Sequence, residues 1–420
     1  MAVTSRAFGD LTLAFTDQFT WSWDDEDSRG KYWVSFWHPT APEGFHALGT
    51  VAIPAWGSAN LNPKTGAEKI EDHVVALCVK ETGKPAAGQK PALARPAGYE
   101  KIWTDVGTGS KYKGSIWRPL APEGYVAMGC VVPKDTYDKP PLDAVMCVRE
   151  DLTFGASAKQ VYTDKGTGGK IDLSVWSNIV PPSYVDNTDG ATRVLIAANT
   201  FTAHAAYDQP FHLPDMHVLC VPMPVEKPAL GSYPQLVDRA RPAEKTPDVA
   251  ANALWVPFTA FTDTAKSVPW KLANSPFYKV QRKTSWTLLE HLSNDMAVER
   301  RISKTTNTGI EKTSQDTFNA KTGISVSSTA GISLDPFNAS VTTTFSLELG
   351  YERMTSLKEF ESSSTTWELS ALPNTSSAAW IGSNSIQVTR ADGSPVSAPL
   401  TYVAGSIHYS QYPNGAKATK

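Results

Sequence analysis

Between residues 318 and 351 apolar and polar side chains alternate almost without a break, on two arms separated by Asp335-Pro336. The first arm sets Phe318, Ala320, Thr322, Ile324, Val326, Ser328, Ala330, Ile332 and Leu334 against Asn319, Lys321, Gly323, Ser325, Ser327, Thr329, Gly331 and Ser333. The second sets Phe337, Ala339, Val341, Thr343, Phe345, Leu347, Leu349 and Tyr351 against Asn338, Ser340, Thr342, Thr344, Ser346, Glu348 and Gly350. A period of two belongs to a β-strand whose two faces differ chemically. Two such arms about a turn predict a long amphipathic hairpin, the unit from which transmembrane β-barrels are built.

Alternation alone does not separate a lipid-facing strand from one packed on an ordinary sandwich core. Charge favours lipid. Solvent-facing strands usually carry Lys and Glu that guard sheet edges, whereas 318–351 holds only Lys321, Asp335 and Glu348. Spanning a bilayer takes about 9 to 11 residues per strand, and both arms exceed that. A single hairpin in lipid leaves open edges unsatisfied, so several copies would have to close a ring. Phe337 then stands at the tip, and the Ser/Thr face lines a wet lumen.

The whole chain supports a β protein. Its 420 residues leave room for two or three domains. They include 13 Trp, 14 Tyr and 15 Phe, and Gly and Pro are abundant, which suits short strands joined by turns. The formal net charge of −3 argues against nucleic acid as the partner. No apolar run is long enough for a transmembrane helix. Residues 1–10 lack the pattern of a secretory signal, so the expectation is release by an unknown route.

The first half contains an internal repeat. Residues 31–45 read KYWVSFWHPTAPEGF and residues 111–125 read KYKGSIWRPLAPEGY; a shorter third copy, KIDLSVW, occupies 170–176 without the Glu-Gly pair. Each copy is followed by an apolar run with a cysteine in the same place, Cys78, Cys147 and Cys220, and preceded by an Asp twelve residues before its Trp: Asp25, Asp105 and Asp164. Repeated units of this kind bury their apolar faces together. Trp37, Trp117 and Trp176 are expected as core anchors, and the cysteines, with Cys130, as buried thiols. The Trp-x-Pro-x-x-Pro-x-Gly-aromatic signature resembles the vacuolar protein sorting-associated protein 62 family over about residues 9–224, which implies recognition of a partner.

The Asp-led loops have two readings. Asp105, Gly107 and Gly109, and Asp164, Gly166 and Gly168, with Asp25 at the matching place, could hold sugar hydroxyls beside Trp103 or Tyr162. They could equally be plain Asp/Gly turns. The run from Asp24 to Asp27 suits either Ca²⁺ or a solvated acidic turn. The eight histidines are scattered and no hydrolase or metal motif occurs, so no catalytic residue, cofactor or metal is predicted.

After residue 226 a Pro/Ala-rich stretch containing Arg239-Ala-Arg241-Pro242 reads as a solvated linker, with a protease site as the alternative. Ser and Thr then dominate, with strands expected at 275–286, 303–317 and 361–371. This Ser/Thr-rich domain with one amphipathic hairpin resembles the aerolysin-like pore-forming toxins. The predicted class is all-β: a three-repeat, β-prism-like domain at 1–225, a linker at 226–252, and an elongated aerolysin-like domain at 253–420. The resemblance implies a toxin that docks on a membrane glycan or protein receptor, forms a homo-oligomer and inserts 318–351 into the target-cell membrane. A non-lytic lectin or sorting adaptor is the alternative, and an unfamiliar hydrolase is a more distant one.

Overall fold

The computed structural model describes residues 4–54, 74–181, 193–210, 216–228, 231–328, 331–334, 341–342, 349, 351 and 357–413. Those residues are mostly strand, with two α-helices among them. The all-β expectation holds.

Each repeat contributes an outer hairpin and an inner sheet. The outer hairpins pair Phe19–Asp24 with Ser35–Pro39, Gly98–Thr104 with Ser115–Leu120, and Ser157–Thr163 with Ser174–Ile179. All three ladders slip by one residue at the same place, just before the repeat's Asp. Such a bulge bends the strand and sharpens its twist. Trp37, Trp117 and Trp176 are buried, and each indole N–H donates to the serine two residues earlier, at 2.9, 3.0 and 2.8 Å. In the inner sheets the cysteine strand lies in the middle. Ala76–Glu81 runs between Leu11–Thr16 and His46–Ala47, Cys147–Arg149 between Leu93–Ala94 and Tyr125–Val126, and His217–Pro222 between Thr153–Gly155 and Arg193–Ile196. All four cysteines are buried and unpaired as disulfides.

The second half is built on a five-stranded antiparallel sheet in the order Val225–Glu226, Val249–Pro257, Phe277–Asn294, Thr375–Thr389, Leu400–Tyr412. At roughly 3.3 Å per residue, the 18-residue strand Phe277–Asn294 is about 60 Å long. Beside it Arg300–Thr308 pairs with Ser363–Ala371 in a nine-residue ribbon, Arg300 opposite Ala371 and Thr308 opposite Ser363. Everything from 309 to 362 is therefore an excursion that leaves and returns at one end of this ribbon.

The connector 226–252 is largely exposed but anchored at several points along the long sheet. Leu236 is buried and its N–H donates to Ser410 Oγ. Leu288 N–H donates to the Glu244 carbonyl at 2.7 Å, and Trp286 N–H to Thr246 Oγ1 at 2.9 Å. Arg239 reaches the Asn294 carbonyl, and Arg241 pairs with Glu244.

The two halves share one core. Phe8, Phe15, Leu93, Val148, Val194 and Leu219 from the repeats pack with Leu254, Phe258, Phe277, Val280 and the buried residues of the excursion. Phe277 lies 5.7 Å from Phe8 and 5.9 Å from Phe15, ring centre to ring centre. Phe277→Ala should lower stability by about 3–5 kcal/mol, seen as a lower thermal midpoint. An unchanged midpoint would show that this ring does not join the halves.

Candidate functional site

Three ten-residue loops, 25–34, 105–114 and 164–173, close the outer hairpins in the same way. The Asp N–H donates to the carbonyl nine residues on (Val34, Gly114, Leu173), and the N–H three residues on donates back to the Asp carbonyl at 2.9, 2.9 and 3.0 Å. In two loops the carboxylate also accepts a backbone N–H: Val34 to Asp25 Oδ1 at 3.1 Å and Leu173 to Asp164 Oδ1 at 2.8 Å. Asp105 Oδ1 is buried without a hydrogen bond, and the Tyr137 hydroxyl bonds that carboxylate.

The loops interlock in a ring. The aromatic residue two positions before each Asp reaches into the next repeat. Trp23 Nε1–H donates to the Tyr112 carbonyl at 3.1 Å, and Trp103 Nε1–H to Asp164 Oδ2 and the Ile171 carbonyl, both at 3.0 Å. At the third junction Tyr162 stands close to Asp25, and a Cβ on Gly30 of the first loop would stand 2.9 Å from Thr167 Cγ2 of the third. Main-chain bonds join the first loop to the second and the second to the third: Arg29 N–H to the Thr108 carbonyl, Lys111 N–H to Glu26, and Lys170 N–H to Val106. Gly107, at φ +101°, is required here. A Cβ on it would stand 2.8 Å from the Gly168 carbonyl oxygen, and side chains rarely adopt that backbone.

The three repeat Asp residues are buried within these contacts. Asp25, Asp105 and Asp164 are 1%, 5% and 1% exposed, so their carboxylates face the loops' own backbone. Trp103 and Tyr162 are buried and offer no stacking face. The Asp24–Asp27 run is divided: Asp25 points inward, while Asp24 accepts from the Trp21 indole and the Glu26 N–H. Gly107, Gly109, Gly166 and Gly168 all have positive φ. What the loops turn outward is mostly apolar and basic, with Asp27 and Asp172 as exposed carboxylates.

The 318–351 segment differs from the single hairpin its pattern predicts. Lys312–Thr322 is an α-helix, so Phe318 and Ala320 are helical, Phe318 buried and Ala320 exposed. Phe318 and Thr322 stand one helical turn apart on the buried side, and Gly323 ends the helix in the left-handed region. The strand of the first arm is itself folded back: Ile324–Ser327 pairs with Gly331–Leu334, Ile324 opposite Leu334 and Val326 opposite Ile332. Ile324, Val326, Ile332, Leu334, Val341, Leu349 and Tyr351 are all buried in the shared core. Val341–Thr342 pairs with Arg193–Ile196 and adds a strand to the third repeat's inner sheet. Ala330, Phe337, Ala339, Phe345 and Leu347, and the Asp335-Pro336 turn, lie outside the described residues.

Two other polar sites are internally satisfied. In a cleft near Gly9 and Glu81, Arg149 is held by Asp10 and Asp151, each at 2.6 Å. In the second half Arg390 makes two bonds to Asp263, which also accepts from the Tyr278 hydroxyl at 2.6 Å.

Two family models match the chain. Residues 65–222 match vacuolar protein sorting-associated protein 62, covering the second and third repeats and the cysteine strand of the first. Residues 249–392 match the insecticidal crystal toxin P42. The second half is thus similar to an insecticidal crystal toxin family over residues 249–392. No curated protein matches the chain. Among solved structures, GNIP1Aa from Chromobacterium piscinae is 23% identical over 50% of this chain, with a TM-score of 0.36, and the chain spans 37% of its length. Cry35Ab1 is 13% identical over 77% of this chain and 89% of its own, TM-score 0.34. The oligomeric pore-forming toxin pro-Monalysin is 11% identical over 34% of this chain and 65% of its own, TM-score 0.19.

Burial raises the carboxyl of Asp25 to about 6, against the opposing bonds from Val34 and Ser28 and with help from the Asp24 charge. Asp105 and Asp164 move the same way for the same first cause. The fold therefore favours neutral Asp25, and that stabilisation is lost as pH rises through about 6. The thermal midpoint should rise on acidification from ~pH 7.5 to ~pH 5. Asp25→Asn keeps an acceptor for Val34 and loses the proton equilibrium, so its rise should be smaller. An identical pH profile in the variant would remove Asp25 from this role.

Proposed function

We propose that the chain is a β-pore-forming toxin that meets a target-cell surface through its repeat half, oligomerises, and inserts residues 318–351 as strands of a shared barrel. The observation that carries this is the excursion 309–362. It starts and ends at the Thr308–Ser363 end of a two-stranded ribbon, so straightening it lengthens a ladder that already exists. Among the described residues of its apolar face, Ile324, Val326, Ile332, Leu334, Val341 and Leu349 are buried now, in the core shared with the repeats. Moving that face from core to lipid keeps it away from water, and the hydrogen bonds lost in the small resting hairpin are regained between copies.

On this reading the resting fold must open in three places. The helix Lys312–Thr322 unwinds, the Ile324–Ser327 and Gly331–Leu334 strands part to form one arm, and Val341–Thr342 leaves the third repeat. Lys321 and Glu348 then face the lumen. The reading assigns no chemical step to any residue. The partner-binding family of residues 65–222 favours one rival, a protein that binds without lysis, and dye release separates the two.

Ser325 and Ser333 are directly opposed across the resting hairpin. A Ser325→Cys/Ser333→Cys variant, oxidised, should release less than about one tenth of the parent's dye from target-cell membranes, and reduction should restore it. Undiminished leakage from the oxidised form would mean that this arm does not straighten.

A further inference from the structure

The outer surface of the loop ring gathers exposed apolar side chains from all three repeats. Tyr32 and Trp33 are 51% and 56% exposed on the first loop, Val106 38% on the second and Ile171 38% on the third. Because the first loop is bonded to the second and the second to the third, and Gly30 of the first lies close against Thr167 of the third, these side chains belong to one end of the domain, although they are far apart in sequence. Cations surround them: Arg29, Lys31, Lys111, Lys113, Lys165 and Lys170 are exposed. Against these stand exposed Asp27 and Asp172, and Glu26, which already pairs with Lys111 at 3.2 Å. The three repeat Asp carboxylates are turned inward. A chain with a net charge of −3 thus presents a cationic, aromatic-tipped crown.

We infer that this crown is the docking face for an anionic membrane surface, with Tyr32, Trp33, Val106 and Ile171 entering the headgroup boundary and the lysines meeting lipid phosphates and carboxylates. Trp and Tyr favour that boundary because one part of each ring system is apolar and the other polar. Cations beside them add attraction that falls with salt. The ring supplies rigidity: the loops are held by their buried Asp residues and by each other, so little order is lost on binding. The inference rests on the membrane-acting function proposed above and names its first contact.

The test is flotation of the full chain with phosphatidylcholine vesicles, with and without one third phosphatidylserine, together with dye release from the same vesicles. The parent should bind the anionic vesicles, more weakly at high salt, and bind the neutral ones poorly. Tyr32→Ser/Trp33→Ser should weaken binding roughly tenfold or more, Ile171→Ser should weaken it less, and Tyr233→Ser, an exposed aromatic of the second half, should leave it unchanged. A parent that ignores anionic vesicles, or binds only when a glycan or protein receptor is added, overturns the inference. So does a Tyr32→Ser/Trp33→Ser chain that binds and leaks like the parent, which would leave pore formation standing. A parent that binds through the crown without leakage keeps the inference and ends the pore reading instead.

Discussion

The apolar face of the 309–362 excursion has to be covered, and the cover it finds joins the two halves. Ile324, Val326, Ile332 and Leu334 enter a core that also contains Phe8, Phe15 and Phe277. Val341–Thr342 goes further and completes the open edge of the third repeat's inner sheet. An unpaired edge is a template for another chain, so the excursion also protects the repeats. Withdrawing it would uncover apolar side chains and the Leu195–Ile196 edge together. The resting state is therefore held by surface on both sides of the joint, not by a local loop contact.

The loop ring explains which parts of the repeat are kept. Trp23, Trp103 and Tyr162 each stand two residues before the repeat Asp, and each reaches the next repeat. A ring of three needs all three members. The Glu-Gly pair missing from the third repeat has a different task. In the first two repeats it closes a local turn, Phe45 N–H to the Pro42 carbonyl and Tyr125 N–H to Pro122. No other repeat depends on that turn, so one copy can lose it while Asp164 and Tyr162 remain.

Much of this was legible in the sequence. The threefold spacing of Asp, Trp and Cys marks where the hairpins and inner sheets recur, and the mostly-β class follows from composition. The first arm departs from one continuous strand for a geometric reason. In the resting hairpin even-numbered residues oppose even-numbered ones, Ile324 with Leu334 and Val326 with Ile332, so the period of two passes through the turn unbroken. Phe318 and Thr322 share a face in either a strand or a helix, and Gly323 was the only local signal for the helix end. The loop carboxylates looked like ligand groups because composition does not show burial. Asp25 and Asp164 accept from the backbone N–H nine residues on, and Asp164 also from Trp103 of another repeat, contacts that sequence spacing alone does not show.

On the proposed function, the joint where the excursion begins is where one sequence would pass between two arrangements. Gly309 N–H donates to the Val403 carbonyl, anchoring the ribbon's end to the long sheet. Its φ is +95°, and a Cβ there would collide with the Glu361 carbonyl across the ladder. The two chains thus approach most closely just where the ribbon stops. Beyond that point Ile310 N–H still meets the Phe360 carbonyl, so pairing has begun to continue past Thr308–Ser363 before the excursion diverges into helix and core. The ladder is interrupted by competition, not by a sequence that forbids it. Pro336 is the only proline between 309 and 362, and it sits where the two arms must turn. What keeps the ribbon short in the resting chain is the core's hold on the excursion's apolar face, and lipid is the other environment that can take that face.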